Sequence, residues 1–257
     1  MRVTTLASGS KGNCTYVEGA SGALLIDAGL SARDITTRLT AAGGRLDLIR
    51  AILVTHEHVD HVRGAVPLAR KLHVPIIASG GTLSEVLRCR GSRPGLSTTL
   101  CKTSELYHVE EFTIRPFSTS HDALEPYGFC VSDGKARFGC CTDTGMLTPE
   151  MIEQLRICDM VMLESNHCPN MLAGGPYPPA LKRRIRSKRG HLSNQAAAEG
   201  VRALGRDVPI IELSHLSEIN NTPAKARASA RGGLGLFADE VDLIIALQHE
   251  ISPTRLF

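Results

Sequence analysis

Ala51-Ile52-Leu53-Val54-Thr55-His56-Glu57-His58-Val59-Asp60-His61 is the stretch whose reading decides the fold. Its first residues form an apolar, partly β-branched run bounded by polar residues, the pattern of a buried strand. After Thr55 the composition changes to three histidines and two carboxylates within six residues. Imidazole nitrogen and carboxylate oxygen are ligands that Zn²⁺, Mn²⁺ or Fe²⁺ accept. His56 and His58 lie two apart, so in extended backbone they point the same way and can share one ion. Asp60 continues that parity, and His61 opens the following helix and can face a second ion. Four ligands crowded this tightly exceed the needs of one open catalytic metal, so the stretch reads as half of a two-metal site. A merely solvated loop would explain one histidine here, but not His-x-His-x-Asp-His directly after a buried strand.

The rest of the composition sets bounds. Of 257 residues 42% are hydrophobic and 21% charged, which is ordinary for a globular chain with a real core. Aromatic residues are only 4% and Trp is absent, so the core must rely on aliphatic side chains. A formal charge of +3 permits an anionic partner without requiring one. The eight cysteines contain no Cys-x-x-Cys and read as small buried residues of a reducing compartment. Residues 1–6 carry no apolar signal core, and no 18-residue apolar run occurs. The expectation is a soluble, cytoplasmic protein with no membrane partner.

Taken in order, residues 3–6, 14–18 and 23–26 read as strands, and Ser31 caps a helix reaching about residue 42. The motif strand is followed by a helix over 62–72, a strand over 74–78 and a helix over 82–88. Residues 112–118, 127–132 and 136–140 are strands separated by turns. Thr148 caps a short helix with Pro149 at its first position, and 159–163 is a strand. Pro176 to Pro179 breaks the chain before a basic helix over 180–186. Ser193 caps a helix over 194–204, strand 208–213 points at His215, and a helix over 224–231 precedes a last strand over 241–246. No linker or repeat divides the chain. Two sets of strands with interspersed helices suggest two sheets face to face with helices outside, in one domain over 1–257.

The remaining candidate ligands share one placement, just past the end of an expected strand: Asp27, His121, Asp143 and His215. Polar residues at successive strand ends converge when the strands share a sheet edge. Together, Thr55-His56-x-His58-x-Asp60-His61, the preceding Asp27, the distant His121, Thr142-Asp143-Thr144-Gly145 and the late His215 resemble the metallo-β-lactamase superfamily over essentially the whole chain. The resemblance implies a four-layer αββα sandwich. More narrowly, Ser8-Gly9-Ser10-Lys11-Gly12-Asn13, Leu25-Ile26-Asp27-Ala28-Gly29, Gly190-His191-Leu192-Ser193-Asn194 and His215-Leu216-Ser217 with Asn220-Asn221 resemble the YycJ/VicX-type branch, regarded as DNA exonuclease-like hydrolases.

Carried over by residue, the resemblance implies that His56, His58 and His121 hold one metal. Asp60, His61 and His215 would hold a second, with Asp143 bridging. Asp27 resembles a carboxylate that orients a ligand histidine. His191 resembles the substrate-phosphate and proton-donor histidine of related tRNA-processing enzymes. Two divalent ions (Zn or Mn, with Fe a further candidate) lower the pKa of a bridging water, and the hydroxide can attack phosphorus in line. Asp60, His191 and Asp27 are thus the residues expected to serve catalysis, and a nearby imidazole can protonate the departing alkoxide.

Weaker signals concern the substrate. Residues 182–189 hold six cations, among them Lys182, Arg183 and Arg186, and lead into His191. At the rim of a cleft they would favour a phosphate backbone. The loop with Ser8, Ser10 and Asn13 could offer backbone N–H groups to a phosphate, but a tight turn is an equally good reading. His167 could line the cleft, and Ser193 and Asn194 adjoin His191. Cys168 stands where the branch often has Asp, and reads as a small semi-buried residue. The expected partner is nucleic acid, DNA before RNA; the oligomeric state is open, with a dimer allowed. Competing readings are a hydrolase of a small thioester or cyclic phosphodiester, and a metal-stabilised binding module without turnover. The complete ligand set argues against the second, and His58, where diiron relatives carry Glu, argues against redox chemistry.

Overall fold

Residues 160–163, Met-Val-Met-Leu, show why the strands here lack an alternating pattern. Met160 and Met162 pack into one apolar layer, Val161 and Leu163 into another, so both faces of the strand are buried. Leu24 and Ile26 likewise face one layer and Leu25 the other. The computed structural model describes residues 1–90 and 95–257.

The first sheet holds β1 (Arg2–Ala7), β2 (Cys14–Glu18), β3 (Ala23–Ile26), β4 (Ile49–Leu53), β5 (Ile76–Ala78) and β6 (Thr98–Leu100). The second holds β7 (Tyr107–Val109), β8 (Phe112–Ser118), β9 (Tyr127–Ser132), β10 (Arg137–Cys141), β11 (Met160–Glu164), β12 (Ile210–Ser214) and β13 (Asp242–Ile245). A last strand, β14 (Arg255–Leu256), joins the first sheet, giving the orders β14-β1-β2-β3-β4-β5-β6 and β13-β12-β11-β10-β9-β8-β7.

Between the sheets lies a layer that includes Val17, Ile26 and Leu53 from one side and Phe112, Phe129, Phe138 and Met162 from the other. Outside the first sheet pack α1 (Ala32–Ala41), the short α2 (Val59–Val62), α3 (Ala65–Leu72) and α4 (Gly80–Arg90). After β11 the chain forms the short α6 (Pro169–Gly174) and α7 (Pro179–Ile185), and beyond the second sheet pack α5 (Pro149–Arg156), α8 (Asn194–Leu204) and α9 (Pro223–Leu234). Met151 and Leu155 of α5, Val201 and Leu204 of α8, and Ala226, Ala230 and Leu234 of α9 form its outer apolar layer. Helix, sheet, sheet, helix is the αββα order expected from the sequence. No helix among the described residues is long and apolar enough to cross a membrane.

The caps at Ser31, Thr148 and Ser193 form as expected, each side chain accepting a backbone N–H of the first turn. One expected helix is broken: 62–72 splits at Gly64. Gly64 N donates to Ala28 O at 2.7 Å, and a Cβ on Gly64 would stand 2.4 Å from Leu30 O. The split docks the motif loop against the loop after β3. Strands β6, β7 and β14 carry no sequence pattern because they are two or three residues long and half-exposed at sheet edges.

Strands β3 to β6 run parallel, as do β10 to β13. Strand β8 is antiparallel to β9 and β9 to β10, so β8 ends on the same edge as β10. The loops after β4, β8, β10, β11 and β12 leave such ends and bring His58, Asp122, Asp143, Asn166 and His215 to one cleft.

Candidate metal centre

Asp27, at the end of β3, fixes the first part of the site. Its Oδ1 accepts from Thr55 N at 2.9 Å, and its Oδ2 accepts from His61 Nδ1 at 2.7 Å. Thr55 Oγ1 also donates to Asp27 Oδ2, at 2.9 Å, which leaves that oxygen to accept from His56 Nδ1 at 3.1 Å. Both rings thus have Nδ1 engaged and Nε2 free to face a metal. His121 Nδ1 donates to Gly190 O at 2.9 Å, with the same result.

His56 Nε2 lies 3.0 Å from His58 Nδ1, which lies 3.3 Å from His121 Nε2. Two nitrogens on one tetrahedral Zn²⁺ stand roughly 3.4 Å apart, so the three atoms fit one ion. Asp60 Oδ2 lies 3.7 Å from His61 Nε2 and 3.6 Å from His215 Nε2, a second triad. Asp143 stands between them, Oδ2 being 3.2 Å from His61 Nε2 and Oδ1 3.7 Å from His121 Nε2. Buried Asp143 Oδ2 and His215 Nε2 have no well-formed hydrogen bond among the described residues, only the charge pairs with His61 at 3.2 Å and Asp60 at 3.6 Å, in which a cation could take the place of the imidazole protons. All seven expected ligands are brought together, and the donor set suits a divalent metal.

Asp27, Asp143 and His215 have positive φ of 59°, 52° and 54°. For non-glycine residues this conformation is uncommon and costs about 1–3 kcal/mol. Three such residues in one site show the surrounding loops holding side chains in place against local preference.

Electrostatics divides the imidazoles. Burial, and then the neighbouring His61, push His56 well below its ordinary pKa, leaving it neutral. Burial also opposes charge on His61, but Asp27, Asp143 and Asp60 outweigh it and raise that pKa well above normal. His215 likewise overcomes burial through Asp143, Asp60 and Glu164, and is lifted to about 10. Burial would raise Asp143, yet His215 and His61 hold it well below the carboxylate range. His61 and His215 therefore carry protons in the metal-free protein at neutral pH, and metal must displace them. Below about pH 10, where His215 holds its proton, affinity should climb with pH. Calorimetry in buffers of differing ionisation heat should report release of roughly two protons per chain near pH 7.

Glu164 was not singled out by the sequence reading. It ends β11, is fully buried, and accepts from His191 Nδ1 at 2.7 Å and His215 Nδ1 at 3.1 Å through Oε1. Its Oε2 accepts from Thr144 N at 2.8 Å and Leu192 N at 3.2 Å. Although burial opposes ionisation, His191 holds Glu164 down to about 2. In turn Glu164 overcomes burial and raises the pKa of His191. The available signal was the one that marks Asp27: a lone carboxylate ending an otherwise apolar strand.

The substrate-binding expectations fare unevenly. Asp60, Asp143, His191, His215 and Ser10 line a cleft of about 230 Å³. Ser8 and Asn13 do not; both are buried. Ser8 Oγ accepts from His215 N at 2.8 Å, and Asn13 Nδ2 lies 3.1 Å from His61 Nε2. Gly9 N donates to Asn13 Oδ1 and Lys11 N to Gln248 Oε1, so the loop spends its N–H groups internally and is a turn rather than a phosphate cradle. His167 is buried and does not line the cleft, while its neighbour Asn166 does. Ser193 caps α8, and Asn194 bonds Ser165 and Asn221, so both brace loops. Of the basic run, Arg184 reaches the cleft, bonded to Asp122. Lys182 turns to Ala173 O, Arg186 to Lys182 O, and Arg183 is exposed. Cys168 belongs to no ligand cluster among the described residues.

Asp27→Asn is expected to weaken metal binding about 10- to 100-fold, because it removes the acceptor that orients His61 and, through Thr55, His56. Competition titration against a chelator measures it.

A family model described as Beta-lactamase superfamily domain matches residues 23–212. The chain is 34% identical over 230 residues to exodeoxyribonuclease YycJ of Bacillus anthracis, across 89% of this chain and 87% of that protein. It is also 34% identical over 246 residues to exodeoxyribonuclease WalJ of Streptococcus pneumoniae, across 93% of this chain and 91% of the relative. Among solved structures, the metallo-beta-lactamase fold protein YhfI from Bacillus subtilis matches with a TM-score of 0.74 at 15% identity, covering 97% of this chain and 98% of that one, a likeness of fold.

Proposed function

The chain belongs to the metallo-β-lactamase superfamily, in its YycJ-like branch, and we propose that this metal-dependent hydrolase removes nucleotides from an end of DNA. The observation that carries the reading is one cleft in which two ligand triads, joined by Asp143, face His191. His56, His58 and His121 would hold one divalent ion, Asp60, His61 and His215 another, with Asp143 between. Bound there, the pair would supply an acidified water and positive charge for the phosphoryl oxygens, with Zn²⁺ or Mn²⁺ as first candidates.

The protein's own part is positioning and proton transfer. Asp27 and Thr55 hold His61 and His56 in the tautomer that offers Nε2 to the cleft. Glu164 takes Nδ1 of His191, which leaves Nε2 as the nitrogen that can meet substrate. Glu164 raises the pKa of His191 above its ordinary value, which favours the charged ring that can contact a phosphate oxygen and hand its Nε2 proton to the departing alkoxide. After transfer the neutral ring stays anchored on Glu164, ready to be recharged. Arg184 adds a cation to the wall of the same cleft.

The names of the YycJ and WalJ relatives support DNA as the substrate and an end as the point of attack. End-labelled single- and double-stranded DNA, RNA and a generic phosphodiester, with Mn²⁺ or Zn²⁺, test the proposal against an Asp60→Ala/His61→Ala control. Progressive shortening of DNA that is lost in the control is expected. Turnover of the small diester alone, or of nothing, would overturn it.

A further inference from the structure

The segment Gly175-Pro176-Tyr177-Pro178-Pro179 leads into α7 and brings one aromatic ring to the cleft. Tyr177 lines the same cavity as Asp60, Asp143 and His191, beside Leu181 and Ile185 of α7. The cleft therefore has a polar side of metal-ligating and proton-carrying groups and a wall with an aromatic and two aliphatic side chains. The chain has four tyrosines. Tyr16, Tyr107 and Tyr127 use their hydroxyls in hydrogen bonds, while Tyr177 makes none among the described residues. A half-exposed tyrosine that lines the cleft, with no hydrogen bond among the described residues, has ring surface available to a ligand. Pro176 and Pro178 restrict the backbone on both sides, so little conformational freedom remains to be lost on binding.

We propose that Tyr177, backed by Leu181 and Ile185, forms a stacking site for the unpaired base of the nucleotide being removed. The inference rests on the nuclease reading of the cleft and adds what the enzyme grips. Five of the seven ligands are buried, His61 being 0%, Asp143 2% and His215 2% exposed, while His58 and Asp60 are half-buried at the cleft wall. A scissile phosphate that reaches them draws its nucleotide below the protein surface, away from a complementary strand. The base separated in this way loses its neighbours, and an aromatic face replaces them. Stacking reads no hydrogen-bonding edge, so the site tolerates every base.

The test measures binding apart from cleavage. Single-stranded oligonucleotides with an ordinary or an abasic terminal nucleotide are titrated by fluorescence anisotropy into the Asp60→Ala/His61→Ala protein, with Tyr177 intact or replaced by Ala or Phe. Tyr177→Ala should weaken binding of the ordinary end by about 5- to 150-fold, the span given by stacking one base on an aromatic ring. Tyr177→Phe should keep that affinity, and the abasic end should bind equally to all three proteins. Equal binding of ordinary and abasic ends by the Tyr177 protein, no binding by it, or an Ala effect that persists on the abasic end would overturn the inference. DNA left uncut by the wild type, with base-sensitive binding retained, would instead defeat the nuclease reading alone.

Discussion

Asp143→Ala is expected to lower kcat/KM for DNA hydrolysis on the order of 10³-fold or more, a loss of about 4 kcal/mol in transition-state stabilisation. Asp143 is the group that touches both triads, with Oδ2 near His61 and Oδ1 near His121 and, at 3.5 Å, His191. If the two triads hold two ions as proposed, its removal would take away the side chain that lies between them. The same change strips a buried anion from His61 and His215, whose charged forms it supports. The metal-free variant should therefore bind fewer protons near neutral pH, and its calorimetric proton release on metal binding should shrink. Single-turnover kinetics at saturating metal gives the first result, and the calorimetry gives the second. Activity within tenfold of wild type would contradict the bridging position.

The second large effect concerns a residue that bears no side chain. Gly29→Ala should destabilise the protein by about 3 kcal/mol or more, a fall of roughly 6–12 °C in Tm for a chain of this size. A Cβ at Gly29 would lie 1.6 Å from Asp60 O and 2.7 Å from Asn13 N, both of them backbone atoms that cannot rotate aside. Three loops meet there. Asn13 N donates to Asp60 O, Gly29 N to Asn13 O, and Ala28 N to His61 O, at 2.8, 2.8 and 2.9 Å. Separating them moves Asp60 and His61, so the variant should also bind the second ion more weakly. Gly232→Ala in α9, where an added Cβ meets nothing within 4 Å, is the control and should be neutral or slightly stabilising. Thermal unfolding of both variants, with and without metal, separates the effects.

How far the sequence revealed the site depended on how locally each function is written. His56, His58, Asp60 and His61 share one loop, so their spacing alone announced a metal. Asp27, His121, Asp143 and His215 stand alone in sequence. They became legible through their common position after apolar strands and through the family resemblance. Glu164 carried the same mark at the end of Met160–Leu163, but a single carboxylate at a strand end has no partner in sequence. Its bonds to His191 and His215 cross 27 and 51 residues. The polar residues Ser8, Asn13, Ser193 and Asn194 suit either substrate or structure by type; buried Ser8, Asn13 and Asn194 and the helix cap Ser193 instead brace the loops that hold the ligands. Local composition cannot separate those roles, because the same hydrogen-bonding groups suit either. In the basic run the helix decides which cation counts: Arg184 shares a face with Leu181 and Ile185 and reaches the cleft, whereas Arg183 and Arg186 are exposed away from it. The break at Gly64 has no local mark for a similar reason, since it is the approach of the Leu30 and Ala32 backbone that makes glycine necessary there.

The central claim is that two ligand triads, not one, hold metal in this cleft. Native mass spectrometry of protein loaded with Zn²⁺ or Mn²⁺ tests it by counting ions per chain. The wild type should carry two ions, and Asp60→Ala/His61→Ala, which leaves His56, His58 and His121 in place, should carry one. An equal count in the two proteins would contradict the account.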